Sequence, residues 1–351
     1  MRKGDDILPQ LTEQELNSKI KTNFCDKYLI YGEETYLTKA YIDKLIKASV
    51  DDSFVDFNLR VYEPEEPDLS DIYESCLAVP MMAETKCVVV KEYPIEDADE
   101  NDIKALETML VENPEDNTLV FAYPTVQPKG NLANVKAMVK LFEKYGCVVK
   151  FTQKTRQDLV KLLENSAKKR NKIFEGGVAD YLVGTVGMDL NLLLNELDKV
   201  CAYADGNIKR SDVDAVCIKS LEAKVFVMTD DLLAGRFDAA FHGLSKLFEN
   251  HEEPMQIMGA IISQYANIYR VKAAVKSGGS PDALAGYYGY KAGDFKLKKA
   301  AQAASKLTFE QIKESLEILG EADAQMKSTS IENKQILEQM LVKLTRAGKR
   351  K

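Results

Sequence analysis

A chain of 351 residues, 45% hydrophobic and 29% charged, has the length for two or three domains and the composition of an ordinary globular protein. Its net charge of −8 excludes a nucleic-acid coat over the whole surface. The charge is uneven: residues 1–150 carry 17 basic against 29 acidic side chains, while residues 151–351 carry 30 against 26. An acidic front half suits a partner other than DNA, and any DNA contact falls to the back half, which closes on the basic run Arg346-Ala347-Gly348-Lys349-Arg350-Lys351.

The opening Met1-Arg2-Lys3-Gly4-Asp5-Asp6 lacks the apolar stretch of a secretory leader. No run of about 18 apolar residues predicts a membrane span, and the expected location is the cytoplasm. Short, mostly continuous apolar runs then occur at Tyr28–Tyr31, Phe57–Tyr62, Cys87–Val90, Leu119–Tyr123 and Cys147–Phe151. Runs of this kind suit strands buried on both faces of a parallel sheet. Helical spacing fills the intervals at Thr35–Val50, Asp68–Leu77, Glu100–Val111 and Leu132–Tyr145. The alternation predicts an α/β domain over residues 1–152.

After Thr152 the strand signal stops. Helices are expected at Arg156–Asn171, Gly176–Val186 and Asp189–Ala204, the last ended by Asp205-Gly206. Ser211 is the expected N-cap of a helix over Asp212–Ser220. These make a small helical domain over residues 153–222. A second helical domain, 223–351, follows. It has a helix opening at Thr229–Leu233 and ended by Gly235, then Asp238–Asn250, Pro254–Ser277, Thr308–Met326 and Ile331–Arg346. The segment Gly278-Gly279-Ser280-Pro281 is a break.

An α/β domain followed by a small helical one raises the question of a nucleotide site. The first strand is followed by Gly32-Glu33-Glu34-Thr35-Tyr36-Leu37-Thr38-Lys39 and a helix, as in a phosphate-binding loop. The second glycine and the Lys-Ser/Thr pair of such a loop are missing. Glu33 and Glu34 stand where an anion would approach, and Lys39 is out of register. A magnesium-holding acidic pair at a strand end is also missing: in Val88-Val89-Val90-Lys91-Glu92 only Glu92 is left, more simply a solvated strand end. The site reads as degenerate, with no cofactor and no catalytic activity of its own. His242 and His251, nine residues apart, lack metal-pair spacing. The six cysteines, at 25, 76, 87, 147, 201 and 217, form no CxxC and read as buried reduced thiols.

Two segments invite a binding role. Pro80-Met81-Met82-Ala83 puts two flexible apolar side chains in a loop between a helix and a strand. They suit either core packing or the grip of another protein. Tyr287, Tyr288, Tyr290 and Phe295, interleaved with Lys291, Lys296, Lys298 and Lys299, could stack on unpaired bases and meet phosphates. The same pattern also fits a helix with buried aromatics and a solvated lysine face.

Three stretches, in this order, carry a likeness: "YLIYGEETYL", "LLLNELDKVCAYADG" and "VFVMTDDLLAGRFDAAFHGLSKL". From about Tyr28 to Leu344 the chain resembles the delta subunit of the bacterial DNA polymerase III clamp loader. That resemblance implies a AAA+-like domain with a degenerate nucleotide site, a helical lid and a helical collar for oligomerisation. It implies as partners the sliding clamp, the ATPase and delta-prime subunits, and primer-template DNA. By position it puts Met81 and Met82, flanked by Pro80 and Ala83, at the pair that enters a clamp pocket, where the family motif is associated with Leu-Phe. It also brings Phe295, Lys298 and Lys299 near DNA. Two other readings are an active AAA+ ATPase of the helicase-loader type and a helical adaptor unrelated to replication.

Overall fold

The computed structural model describes residues 10–22, 24, 26–64, 68–284, 287 and 295–347. The chain divides into two compact units, Met1–Lys154 and Thr155–Lys351. In the first, α1 (Glu13–Thr22) leads into β1 (Lys27–Tyr31), α2 (Thr35–Ser49), the short α3 (Val55–Asn58) and β2 (Leu59–Tyr62). Then come α4 (Leu69–Leu77), β3 (Lys86–Lys91), α5 (Glu100–Glu112), β4 (Asn117–Ala122), α6 (Ala133–Tyr145) and β5 (Cys147–Lys150). The five strands form one sheet in the order β2-β3-β4-β1-β5, and every pairing is parallel.

The burial of each strand follows its place in that order. Every residue of β4 is buried, and β3 is buried up to Lys91, because helices cover both faces at the centre. Edge strand β2 has one buried residue, Tyr62. One face of the sheet gathers Leu29, Val88, Val90, Leu119 and Phe121 with Ile72, Leu106, Met109, Met138 and Phe142 of the helices. Within it Phe121 meets Phe142 edge-on, with ring centroids 5.5 Å apart.

Every expected strand forms, with one change. Phe57 and Asn58, expected to open the second strand, belong to α3 instead, which Leu59 ends by donating its N–H to the Val55 carbonyl. An apolar-rich run cannot by itself separate one helical turn from the start of a strand. Helix α1 lies outside the expected elements. It is a polar helix with a single buried residue, Leu16, so it carries little periodic signal.

The second unit is helical: α7 (Arg156–Lys169), α8 (Val178–Val186), α9 (Leu190–Tyr203), α10 (Arg210–Val216), α11 (Leu221–Leu233), α12 (Phe237–Glu249), α13 (Pro254–Lys276), α14 (Phe295–Ala304), α15 (Phe309–Ser328) and α16 (Asn333–Ala347). The caps explain several starts. Thr155 and Thr308 close capping boxes with Asp158 and Gln311, Asp189 and Ser220 cap α9 and α11, and Pro254 occupies the first turn of α13. Ser211 is not the cap expected of it. Helix α10 begins at Arg210, where the Asp212 carboxylate accepts the Lys209 N–H at 2.8 Å, so Ser211 sits inside the first turn. From Val225 onward the helices share two apolar clusters, one centred on Leu244, Ile261, Leu337 and Leu341, the other on Ile268, Leu297 and Ile312.

A filled phosphate loop and a projecting methionine turn

At the C-terminal end of β1 the chain turns through Gly32 with φ +130°. A Cβ at this position would lie 2.2 Å from the Phe151 carbonyl oxygen, so only glycine fits. Two amides of this turn are already engaged. The Gly32 N–H donates to the Gln127 side-chain oxygen at 2.6 Å, and the Glu34 N–H donates to the Phe151 carbonyl at 3.1 Å. Gln127 is held in turn, since its Nε2 donates to the Tyr123 carbonyl at 2.8 Å. Thr38 is fully buried, with its hydroxyl directed at the Glu34 carbonyl, and Glu34 is itself buried. Glu33 and Lys39 are exposed.

The opposite wall differs from expectation in one respect. Glu92 is not a solvated strand end. It is half-buried, its backbone is left-handed (φ +52°), and one carboxylate oxygen accepts the N–H groups of Thr125 and Val126 at 2.7 and 2.9 Å. Lys91 pairs with Glu63 at 2.7 Å. A cavity of about 390 Å³ remains between these groups, lined by Lys39, Asp43, Glu63, Lys91, Glu92 and Thr125 among others. Three carboxylates face two ammonium groups there, a poor field for a polyphosphate. Among the described residues no group of three or more His, Cys, Asp or Glu could hold a metal.

The methionine pair lies at the other end of β3. Met81 is 54% exposed and Met82 is 82% exposed, and Leu77, Val79 and Phe57 are exposed as well. Pro80 and Ala83 are half-buried. Met82 has φ +54°, the left-handed region that a non-glycine residue enters at a cost of about 1–2 kcal/mol. The turn is braced from behind by a residue not singled out in the sequence. The Asn58 carboxamide, 3% exposed, accepts the Met81 N–H at 2.7 Å and donates to the Met81 carbonyl at 2.8 Å.

The helix in front of the turn is pinned to the sheet. The Tyr62 hydroxyl lies 2.8 Å from the Asp71 carbonyl and 2.7 Å from the Ser75 hydroxyl. The buried Lys86 ammonium donates to the Ser75 carbonyl in the last turn of α4, where a cation is favoured by the negative end of the helix dipole. Burial lowers the Lys86 pKa. Beside it, burial pushes the Cys76 thiol up to about 12, as it does for Cys147 and Cys217. Cys76, Cys87 and Cys201 are buried, whereas Cys147 and Cys217 are half-buried. Cys25 lies outside the described residues.

The expected DNA segment is only partly described. Tyr288, Tyr290 and Lys291, with the side chains of Phe295 and Lys296, lie outside the described residues. Tyr287 and Lys298 are exposed. Lys299 is half-buried, its ammonium 5.0 Å from the centre of the Phe226 ring. His242 is exposed. His251 is exposed, with φ +58°, just past the end of α12, where its N–H donates to the Phe248 carbonyl.

A five-stranded parallel sheet with a glycine turn leading from β1 to α2, followed among the described residues by helices, defines an α/β domain continued in the chain by a helical region. Two family models match: "DNA polymerase III, delta subunit" over residues 28–152, and "DNA polymerase III delta subunit, C-terminal domain" over residues 222–344. The chain belongs to the DNA polymerase III delta subunit family. It is 24% identical over 331 residues to the DNA polymerase III subunit delta of Bacillus subtilis, covering 92% of this chain and 94% of that one. Among solved structures, the Bacillus subtilis DNA clamp loader delta protein has the same fold, with a TM-score of 0.59 and 23% identity over 95% of this chain and 99% of that chain.

Proposed function

We propose that this chain grips the sliding clamp within a DNA polymerase III clamp loader and hydrolyses no ATP itself. The observation that carries the reading is the methionine turn: two large apolar side chains held out in solvent on a backbone that is left-handed at Met82 and tied at Met81. A loop optimised only for its own stability would bury such side chains. Covering both would contribute about 3–6 kcal/mol before the costs of association. The unbranched thioether chains adapt to a pocket, and the φ of Pro80 limits the conformations lost on docking.

Opening a ring needs no pull. A loader that binds the open clamp more tightly than the closed one shifts the equilibrium by that difference in affinity. The nucleotide place supports a passive role, because its Gly32 and Glu34 amides are bonded to Gln127 and Phe151 and carboxylates outnumber ammonium groups in the neighbouring cavity. ATP turnover then belongs to neighbouring subunits.

In this reading residues 1–152 hold the clamp, 153–222 form a lid, and 223–351 form the collar that joins the ATPase and delta-prime subunits. Lys298, with Phe295 and Lys299, is the candidate contact for primer-template DNA, which would weaken steeply with salt.

The test is a titration of the full chain against the sliding clamp of the same organism. Met81→Ala with Met82→Ala is expected to weaken binding at least about tenfold with an unchanged melting temperature, the loss of a desolvated apolar anchor. Equal affinity in a folded double variant refutes the assignment.

A further inference from the structure

We infer that Asn58 is a positioning residue for clamp binding: it fixes the Met81 peptide so that both methionines are presented before the clamp arrives. The inference rests on the clamp-gripping reading above and extends it to a residue 23 positions away in the chain.

Asn58 ends α3 and is almost wholly buried. Its carboxamide has two donor hydrogens and one carbonyl oxygen, and all are used. One hydrogen is directed to the Met81 carbonyl at 2.8 Å and the other to the Phe54 carbonyl at 3.2 Å, while the oxygen accepts the Met81 N–H at 2.7 Å. Reversing the amide would set its NH₂ against the Met81 N–H, so this orientation is the one the network allows. The side chain thus pairs with Met81 as a neighbouring strand would, taking both polar groups of a single residue.

The consequence falls on Met82. Fixing the Met81 N–H and carbonyl fixes the peptide plane from which the Met82 φ is measured. With that plane held, Met82 stays in a left-handed conformation that few non-glycine residues adopt. Freed from it, the turn relaxes toward the ordinary regions of backbone space, and the two side chains point elsewhere for most of the time. A partner that needs the presented form then binds more weakly in proportion to the population lost. Lowering that population to about a tenth lowers the apparent affinity about tenfold.

The experiment measures clamp affinity for four full-length chains: wild type, Asn58→Ala, the Met81→Ala/Met82→Ala pair, and all three changes together. The inference expects Asn58→Ala to weaken binding about tenfold. It expects the triple variant to bind no more weakly than the methionine pair, since Asn58 acts only through those side chains. A residue needed merely for folding would add its own loss in the triple variant, and that additivity overturns the inference. So does an Asn58→Ala chain that binds within twofold of wild type while the methionine pair is impaired, a result that leaves the clamp-gripping reading standing. A methionine pair that binds normally removes both. Should Asn58→Ala fail to fold, amide exchange in the wild-type chain decides: the Met81 N–H is expected to exchange about a hundredfold more slowly than a free loop amide, and exchange at the free rate overturns the inference.

Discussion

The two ends of the sheet have opposite relations to solvent. At the C-terminal end of the strands, groups of the kind that would serve chemistry are turned inward: Gly32 binds Gln127, Glu92 binds the Thr125 and Val126 amides, and Thr38 is buried. At the N-terminal end of β3, side chains of the kind that would serve a core are turned outward, and the backbone is strained in order to do it. Strain that is kept needs a compensating role. Left-handed backbone occurs in both places, at Met82 and at Glu92, but at the turn it carries an exposed apolar side chain, whereas at the pocket the polar groups are bonded within the fold. On the proposed reading, the binding chemistry of this chain has a surface address.

The contrast can be broken most forcefully at Gly32. Gly32→Ala would set a methyl group 2.2 Å from the Phe151 carbonyl oxygen and 2.6 Å from its nitrogen, both backbone atoms. The expected loss is more than about 3 kcal/mol in denaturant unfolding, because a positive φ and a backbone clash act together. A loss below about 1 kcal/mol would show a loose loop, open to a ligand. Gln127→Ala is the milder form of the same question. It leaves the Gly32 N–H without its acceptor and the Tyr123 carbonyl without a donor, and is expected to cost about 1–2 kcal/mol. Clamp affinity should stay within twofold, since this region lies outside the proposed grip. Magnesium-ATP should leave the melting temperature of the wild type and of Gln127→Ala unchanged. A rise would mean that the folded state binds nucleotide, and the contrast would fail.

What was legible in the sequence follows the range of each interaction. The strands were legible because burial on both faces leaves continuous runs such as Cys87-Val88-Val89-Val90. Most helices were legible from period and caps. The start of β2 was not, because Phe57 and Asn58 are as compatible with a turn of helix as with a strand. Nor was the start of α10, where Asp212 rather than Ser211 supplies the capping oxygen. The departures from a phosphate-loop pattern are local, at Glu33, Glu34 and Thr38, and Met81 and Met82 stand out as apolar residues beside Pro80. The residues that give these places their geometry could not be read. Asn58 reaches Met81 across 23 positions, Glu92 reaches Thr125 across 33, and Gln127 reaches Gly32 across 95. A side chain–backbone bond of that span leaves no period and no motif. The local sequence around Glu92 therefore suggests a solvated strand end, whereas the fold makes it a tether.

The smallest effect tests how far the outward-facing surface extends. Phe57 is 63% exposed and precedes Asn58, whose side chain holds the turn. If clamp contact spreads from the methionines onto α3, the Phe57 ring is covered on binding. Phe57→Ala should then weaken clamp binding by about two- to fivefold, the range for a residue around an anchor rather than the anchor itself. Its melting temperature should not change, because the ring is already in solvent and its removal leaves no cavity. The ranking carries the information. A loss as large as that of the methionine pair would move the centre of the grip from the β3 turn to α3, and the strained backbone at Met82 would need another explanation. No loss at all would confine the grip to the turn, where two adjacent side chains and their bracing amide must then account for the whole apolar contribution.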